Sequence, residues 1–382
     1  MKLEGIRVVD LSLFLPGPYL TMSLADHGAE VIKVEPPAGD PGREIGARQG
    51  GETVFFRLMN RGKKSVALDL KSDDGRAALL RLCDSADVFV ESFRPGVMQR
   101  LGFDYATLVQ RNPRLVYCSI SAFGQDGPYR DVPAHDLAVE ALGGSLSITV
   151  GADGQPAIPG IAAADMLSSL QALSAILMAL LRREKTGRGD YIDMSMHDAV
   201  LAAYPNVLGP TFAEDRDLVP KEERSMGGSA FYQIYRTADG RHVVLGGQEI
   251  KFVRNLLEAL GRPDFVPLCE RGPGRHQKPL IDFLAGVFAS RTQAEWVAWF
   301  KGRDICFAPV KTLREAFDDP HARHRGMSVI DESGHAHVGP AIRFAHEPSR
   351  ACLRVPALGE HDSEILGRER APTARHTREA SQ

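Results

Sequence analysis

The chain has 382 residues, of which 43% are hydrophobic and 25% are charged, as is ordinary for a soluble globular protein. This length is enough for two domains. The net charge of −3 gives no reason to expect nucleic acid or an anionic membrane as a partner, so an anionic ligand would have to meet a local basic patch.

The first half of the chain alternates strand and helix patterns. Short apolar runs bounded by turn-forming residues predict strands at residues 6–12, 31–37, 64–70, 87–93 and 115–124. Strands that follow one another at intervals of ~30 residues, joined by helical patterns, indicate βαβ units and a parallel sheet. We therefore predict an α/β, Rossmann-like fold. No GxGxxG motif follows the first strand, so a nicotinamide cofactor is not supported.

The most regular helix pattern covers residues 165–183, and Asp165 is placed to cap it. Residues 211–224 are charged and irregular, which is typical of a linker. Residues 231–247 then predict a β-hairpin with its turn at 238–240, followed by helices.

These patterns predict five segments along the chain. They are a large Rossmann-like domain at 1–210, a linker at 211–224, a smaller α+β domain at 225–318, a return arm completing the large domain at 319–366, and a mobile tail at 367–382.

Basic residues stand next to glycines in two segments, 60–65 and 94–102. Ligands of open α/β sheets bind at the carboxyl ends of the strands. Phosphate groups there would meet Arg61, Lys63, Lys64 and Arg94. The alternative is that these are solvated charges on turns.

Three further residues are candidates for acid/base chemistry. His135 lies where a loop enters a helix, Asp165 heads an apolar helix, and Glu249 follows a glycine pair before another helix. Singly, each has a common structural explanation, such as an N-cap. A histidine and a carboxylate facing one another across a substrate carbon suit proton removal and return. Spacing alone does not show that they meet, since 30 residues separate His135 from Asp165.

The five cysteines are scattered, with no CxxC pair and no Cys/His cluster, so we predict neither a metal site nor a disulfide framework. Each lies in apolar or mixed sequence, where a buried thiol is expected. The chain starts without the pattern of a signal peptide, and the longest apolar stretch, residues 166–181, contains four polar residues. We therefore expect a soluble, cytoplasmic protein with no membrane span.

Longer motifs run from Gly5 to about Leu366, nearly the whole chain. They include GIRVVDLSLFLPGPYLTMSLADHGAEVIKVEPP, NRGKKSVALDLK, ADVFVESFRPGVMQRLGFDY, NPRLVY, FGQDGPY, RREKTGRGDYIDMSMHDAV and PALGEHDSEIL. Together they resemble family III CoA-transferases and their α-methylacyl-CoA racemase relatives, and the racemase branch is the more similar.

The resemblance implies a large Rossmann-like domain and a small domain, with two chains threaded into an interlocked homodimer. It implies no cofactor, because the acyl-CoA thioester is the substrate. An arginine that often follows the VIKVE strand is replaced here by Pro37. The positions that match CoA contacts are Phe14, Leu15, Pro16, Leu68, Lys71, Phe93, Arg94 and Arg100.

The chemistry implied by the resemblance depends on Asp165, which both branches of the family share. In the transferases the matching aspartate carries the acyl group as a mixed anhydride. In the racemases it is one of two acid/base groups, and its partner is the histidine of a GHD-type motif, which is PAHD here. The formyl-CoA transferase pattern has tyrosine at the position of His135. Glu249 matches a glutamate that is implied to orient the racemase histidine.

The resemblance therefore favours a racemase of 2-methylacyl-CoA-like substrates. His135 and Asp165 would move the α-proton on opposite faces, and backbone N–H groups at the helix start beside Asp165 would hold the enolate oxygen. Two alternatives stay open: a CoA-transferase working through an acyl-aspartate, and a non-catalytic CoA-binding relative. Ala134 replaces the glycine of the GHD motif and Met226 replaces an acid, so the acyl group is not identified.

Overall fold

The computed structural model of the chain describes residues 1–367, so all of the predicted tail except Gly367 lies outside the described residues. The chain divides into two compact units. Unit 1 comprises Met1–Gly143, Ile161–Leu201 and the segment that begins at Pro320; unit 2 comprises Gly144–Gly160 and Ala202–Asp319.

Unit 1 is built on a six-stranded parallel sheet, which confirms the predicted Rossmann-like fold. Its strands are Arg7–Asp10 (β1), Glu30–Glu35 (β2), Lys64–Ala67 (β3), Val88–Glu91 (β4), Val116–Ser121 (β5) and Tyr191–Ser195 (β6). The strand order is β3-β2-β1-β4-β5-β6. Connections therefore reverse direction beside β1, and the topological switch point lies between β1 and β4.

The predicted strands were found because parallel strands covered on both faces are nearly continuous apolar runs. Strands β4 and β5 are buried at every position. Val9, Ile32, Phe89 and Tyr117 from four neighbouring strands belong to one hydrophobic core. Full burial of such a side chain contributes about 1.5–3 kcal/mol, so the sheet centre supplies much of the stability of unit 1.

The helices are numbered in chain order over the described residues. They are Pro16–Asp26 (α1), Val54–Asn60 (α2), Asp73–Asp84 (α3), Val97–Leu101 (α4), Tyr105–Arg111 (α5), Asp136–Leu142 (α6), Ser145–Ile148 (α7), Ala163–Thr186 (α8), Met196–Leu201 (α9), Gly209–Ala213 (α10), Ile250–Ala259 (α11), Val266–Glu270 (α12), Lys278–Phe288 (α13), Gln293–Phe300 (α14), Leu313–Asp318 (α15), Pro320–His324 (α16) and Asp362–Leu366 (α17). Short 3-10 turns occur at Pro41–Glu44, Pro263–Phe265 and Arg275–Gln277, and two-strand ribbons pair Arg48–Gln49 with Glu52–Thr53 and Ser328–Ile330 with Ala336–Val338.

Helix α8 is longer than predicted. It begins at Ala163 and its N-cap is Ala162, so the prediction that Asp165 caps the helix is wrong and Asp165 lies in the first turn instead. Gly187, with φ of 70°, ends the helix as glycine does in left-handed C-caps. Over 18 residues its mean hydropathy is 1.6, so by length and composition alone α8 could cross a membrane, contrary to the sequence interpretation. A core helix passes the same test, and Ile176 and Leu180 of α8 are buried in unit 1.

Unit 2 contains a three-stranded antiparallel sheet of Tyr232–Arg236 (β7), His242–Gly246 (β8) and Phe307–Pro309 (β9), in the order β9-β8-β7. Strands β7 and β8 form the predicted hairpin, and Gly240 in its turn has φ of 77°. The three-residue strand β9 was not predicted because it is too short to show an alternating pattern. Phe231, Trp296 and Phe300 are buried in the core of this unit.

The bounds of the two units differ from the predicted domains. Residues 144–160 and 202–210, which the prediction assigned to the large domain, belong to unit 2, as does the predicted linker at 211–224. Lys221 donates to the carbonyl oxygen of Ala152 at 2.9 Å within this unit, and no local sequence pattern predicts this contact. The segment of the predicted return arm that starts at Pro320 belongs to unit 1, where the His361 N–H donates to the Ser65 carbonyl oxygen at 2.9 Å.

The cysteines are less uniformly buried than predicted. Cys83 and Cys118 are buried and Cys269 is half-buried, but Cys306 and Cys352 are exposed, so the prediction is wrong for these two. Residues 1–367 contain no group of three or more His, Cys, Asp or Glu side chains that could hold a metal ion.

Candidate active site

A cavity of about 550 Å³ opens in unit 1 at the carboxyl ends of β1, β4 and β5, and we call it the main cavity. The loop after β1 contributes Leu13 and Phe14, the turn after β4 contributes Phe93 and Arg94, and Phe123 follows β5. The cavity therefore lies beside the switch point between β1 and β4, where ligands of this sheet topology bind.

His135 and Asp165 both line the main cavity, although 30 residues separate them in the chain. His135 is the N-cap of α6 but makes no capping bond with its side chain, so the imidazole is not used to hold the helix. The next residue, Asp136, accepts a hydrogen bond from the backbone N–H of Asp165 at 3.0 Å. Asp136 therefore ties the start of α6, which carries His135, to the first turn of α8, which carries Asp165.

Two carboxylates of α6 satisfy the start of α8, whose own N-cap, Ala162, has no polar side chain. The N–H of Ala163 donates to Glu140 Oε1 at 3.1 Å, and the N–H groups of Ala164 and Asp165 donate to Asp136. The first N–H groups of a helix lack intrahelical partners, so a neighbouring element has to supply acceptors for them. Because these donors are occupied, the sequence expectation that they hold an enolate oxygen is wrong.

The same carboxylates control the proton affinity of Asp165. Burial, and then the negative charges of Asp136 and Glu140, raise the pKa of Asp165 from 3.8 to about 7. Burial also raises the pKa of Asp136. A carboxyl group with a pKa near neutrality can both donate and accept a proton at physiological pH, which is the requirement for general acid/base work.

Three arginines line the main cavity. Within residues 1–367, the guanidinium groups of Arg94 and Arg100 have no acidic partner. Arg130 donates to the Gln125 carbonyl oxygen at 2.9 Å and pairs with the exposed carboxylate of Asp131 at 3.0 Å. Arg130 Nη2 and Arg100 Nη1 each lie 3.4 Å from the point where a Cβ on Gly96 would be, so two positive charges converge there. A phosphate group would stabilise this arrangement.

Sequence reasoning missed Arg130, Asp136 and Glu140. Arg130 stands immediately after the FGQDGPY motif, and Asp136 follows His135 directly. Glu140 lies four residues after Asp136, which places the two carboxylates on one face of α6. The four-residue spacing therefore indicates, from sequence alone, that the two carboxylates act together.

Three of the cations predicted for phosphate binding are held by acids instead, so the prediction is wrong for them. Arg61 forms two bonds to Asp26, at 3.1 and 2.6 Å, and both side chains are buried. Lys63 is fully buried against Asp10 at 3.0 Å, and burial lowers the pKa of Lys63 to about 8. Lys64 begins β3, at the edge of the sheet opposite the carboxyl ends, and pairs with Glu30 and Glu364.

Of the predicted CoA contacts, Phe14, Pro16, Phe93, Arg94 and Arg100 line the main cavity.

The remaining three predicted contacts, Leu15, Leu68 and Lys71, are not among the residues that line this cavity. Leu68 is 1% exposed and belongs to the core. Lys71 is exposed beyond the end of β3.

Glu249 belongs to unit 2, where it is the N-cap of α11 without a side-chain capping bond. It lines a cavity of about 540 Å³ in that unit, together with Arg224 and Tyr232. Its role in orienting His135 stays a prediction.

Comparison with known proteins places this geometry in a family. Residues 3–362 match the profile described as CoA-transferase family III. The α-methylacyl-CoA racemase of Homo sapiens is 36% identical over 374 residues, covering 96% of this chain and 93% of that protein. The succinyl-CoA:glutarate CoA-transferase of Mus musculus is 33% identical over 381 residues, covering 95% and 85%.

A solved structure described as a CAIB/BAIF family protein from Brucella suis has a TM-score of 0.82 at 30% identity, covering 95% of this chain and 98% of that one. Relatives named as racemases and as transferases match at similar identity, so likeness alone does not separate the two activities. The match over nearly the whole length shows that this chain belongs to CoA-transferase family III and is an enzyme of that transferase and racemase superfamily.

Proposed function

We propose that this enzyme racemises or epimerises the α-carbon of 2-methylacyl-CoA thioesters by two-base proton transfer. The observation that carries the proposal is the joint placement of His135 and Asp165 on the wall of one cavity at the switch point of the sheet. The raised pKa of Asp165, about 7, supports it, because that carboxyl group exchanges protons at neutral pH.

The thioester carbonyl acidifies the α-hydrogen. In one direction neutral His135 removes the α-proton, and the C–H electron pair moves into the enolate. Protonated Asp165 then returns a proton to the opposite face of the same carbon, and this inverts the configuration. The reverse reaction uses Asp165 as the base and His135 as the acid. No cofactor takes part, since the thioester itself activates the carbon.

The CoA part is proposed to lie along the main cavity, with its phosphates near Arg94 and Arg100. Arg130 adds a third cation to this wall. The working unit is proposed to be an interlocked homodimer in the cytoplasm, in which Glu249 fixes the tautomer of His135.

The second candidate function is CoA transfer, and the relatives named as CoA-transferases support it. Ionised Asp165 would attack the donor thioester, forming an acyl-aspartate anhydride and releasing CoA thiolate. The thiolate would then attack the aspartyl carbonyl carbon and expel the donor acid, leaving an aspartyl-CoA thioester. The acceptor carboxylate would attack that thioester and release the thiolate again, which would take the acceptor acyl group from the new anhydride and free Asp165. This route needs the carboxylate form of Asp165. With a pKa of about 7, roughly half of the group is in that form at neutral pH, so the pKa of Asp165 is compatible with both routes.

The test is incubation of 2-methylacyl-CoA in D₂O without any acceptor acid, followed by mass spectrometry of the acyl group. The proposal expects deuterium at the α-carbon. His135→Ala and Asp165→Asn should each lose about 10²–10⁴ in exchange rate, the usual contribution of one acid/base group. His242→Ala and Asp304→Asn, which change exposed residues of unit 2, are matched controls and should keep the rate.

A transferase gives the opposite result. Hydroxylamine would trap the acyl group from Asp165, and His135→Ala would change little. An acyl-aspartate found with no α-exchange on any branched substrate rules out the racemase.

A further inference from the structure

Phe14 has an unusual backbone conformation for a large side chain. Its φ is 62°, in the left-handed region, which only two other non-glycine residues of the described chain, Asp215 and Lys221, share. Residues other than glycine, asparagine and aspartate rarely adopt this backbone conformation, because it brings Cβ close to the following carbonyl oxygen. Such a conformation persists only where the surroundings impose it, and it concentrates at functional sites.

Phe14 lies in a tight loop that runs from Ser12 to Gly17, and this loop imposes its conformation. A Cβ on Gly17 would lie 2.1 Å from Ser12 Cβ, so the start of α1 packs directly on Ser12 and only glycine fits there. Ser12 is itself fixed, because its N–H donates to Asp10 Oδ1 at 2.9 Å and its carbonyl oxygen accepts from Lys33 Nζ at 2.9 Å. Asp10, Ser12 and Lys33 are all fully buried.

The rest of the loop is held in the same way. Buried Lys63 joins Asp10, at 3.0 Å, to the carbonyl oxygen of Pro18, also at 3.0 Å. The N–H of Leu13 donates to Ser92 Oγ at 3.0 Å, which ties the loop to the turn after β4. Phe14 therefore lies between two fixed ends and cannot relax to an ordinary φ without breaking buried charged contacts.

The conformation directs the Phe14 ring toward His135. The two ring centroids are 6.0 Å apart and the planes meet at 89°, the edge-to-face geometry that aromatic pairs favour. Phe14 is 41% exposed and lines the main cavity beside the imidazole. Within residues 1–367 the His135 ring makes no hydrogen bond, so this edge-to-face contact is a directional restraint on the plane of the ring.

We propose that Phe14 is a positioning residue for His135, holding the imidazole plane so that a ring nitrogen faces the substrate α-carbon. Its effect on rate rests on the proposed function, in which His135 is an acid/base group. Small misplacement of such a group is costly, since a shift of ~1 Å can lower a rate by about 10². Phe14 would act on the plane of the ring, whereas the predicted role of Glu249 concerns its tautomer.

Four variants test the proposal by two measurements, the turnover number of α-deuterium exchange and the affinity for CoA. Phe14→Ala and Phe14→Gly should lose roughly 10–10² in turnover number, a larger factor than the loss in calorimetric affinity for CoA that removal of a cavity-lining ring causes. Phe14→Tyr, which keeps the ring, should retain most of the rate. Phe344→Ala is the matched control, because Phe344 packs edge-to-face on His27 with centroids 5.5 Å apart.

Phe14→Gly separates the ring from the backbone, since glycine adopts the left-handed conformation without strain. If Phe14→Gly keeps the natural rate, the loop conformation alone matters and the proposal is overturned. A loss that appears entirely in CoA affinity also overturns it, since Phe14 would then be a ligand contact only.

A third measurement does not depend on activity. Diethylpyrocarbonate should modify His135 faster in Phe14→Ala than in the natural enzyme, as followed by peptide mass spectrometry, because one side of the ring is uncovered. Phe344→Ala should speed the modification of His27 but leave α-exchange unchanged. Unaltered modification of His135 in Phe14→Ala would refute the contact. If the natural enzyme shows no α-exchange, the proposed function fails, while this measurement still decides whether Phe14 packs on His135.

Discussion

Replacing Asp165 by asparagine should stabilise the fold at neutral and alkaline pH, although it removes a proposed catalytic group. Asp165 is half-buried and lies beside Asp136 and Glu140, so its negative charge is unfavourable in the folded chain. Asparagine has nearly the same shape and no charge. The variant therefore separates the free energy of holding this carboxylate in the site from every other effect of the position.

The magnitude follows from the pKa of Asp165, which is about 7 in the fold against 3.8 as the ordinary value. Each pKa unit corresponds to 1.36 kcal/mol, so the ionised group destabilises the native state by ~4 kcal/mol at most. Below the ordinary pKa both states hold the proton and there is no effect. As pH rises from 3.8 toward about 7, the unfolded chain loses its proton first, native stability falls, and above that range the loss is constant.

The assay is urea unfolding of the natural protein and of Asp165→Asn at pH values of about 5 and about 8. The free energies of unfolding are compared at constant m-value. The advantage of Asp165→Asn should be roughly 1.5 kcal/mol at the lower pH, where the unfolded chain has already lost the proton, and should reach ~4 kcal/mol at the higher one. Asp304→Asn, at a residue whose side chain is 68% exposed, should show no such trend. An advantage that does not grow with pH would mean that the site does not disfavour the carboxylate, and the argument for acid/base chemistry at Asp165 would lose its electrostatic basis.

Three further results are expected. Asp26→Ala leaves Arg61 buried without its partner and should lower the free energy of unfolding by about 3–5 kcal/mol. An Asp26→Leu/Arg61→Met double variant should recover most of that loss, and a double variant as unstable as Asp26→Ala would contradict the pairing. Arg94→Ala and Arg130→Ala should each weaken CoA binding by roughly 1.5–3 kcal/mol in calorimetry, the range for a hydrogen bond to a charged group, and an unchanged affinity removes that arginine from the site. An interlocked dimer should not dissociate on dilution without unfolding, so a folded monomer in sedimentation at nanomolar concentration would count against it.

The sequence predicted the large sheet well because parallel strands are short apolar runs between turn-forming residues. The same patterns located the hairpin of β7 and β8. Boundaries were less accurate. Helix α8 begins two residues before Asp165. Its first N–H groups donate to Asp136 and Glu140 of another helix, so no local cap is needed.

What the sequence by itself determined was the class of fold, the family, and the chemical types available to the site, including His135 and Asp165. It did not determine which charges face a ligand. Arg61 and Lys63 have the same local signature as Arg94, a cation within two residues of a glycine. Their partners Asp26 and Asp10 nevertheless lie 35 and 53 residues away in the chain. Only tertiary structure decides such pairings, because the interaction between charges depends on distance and burial in space and not on separation along the chain.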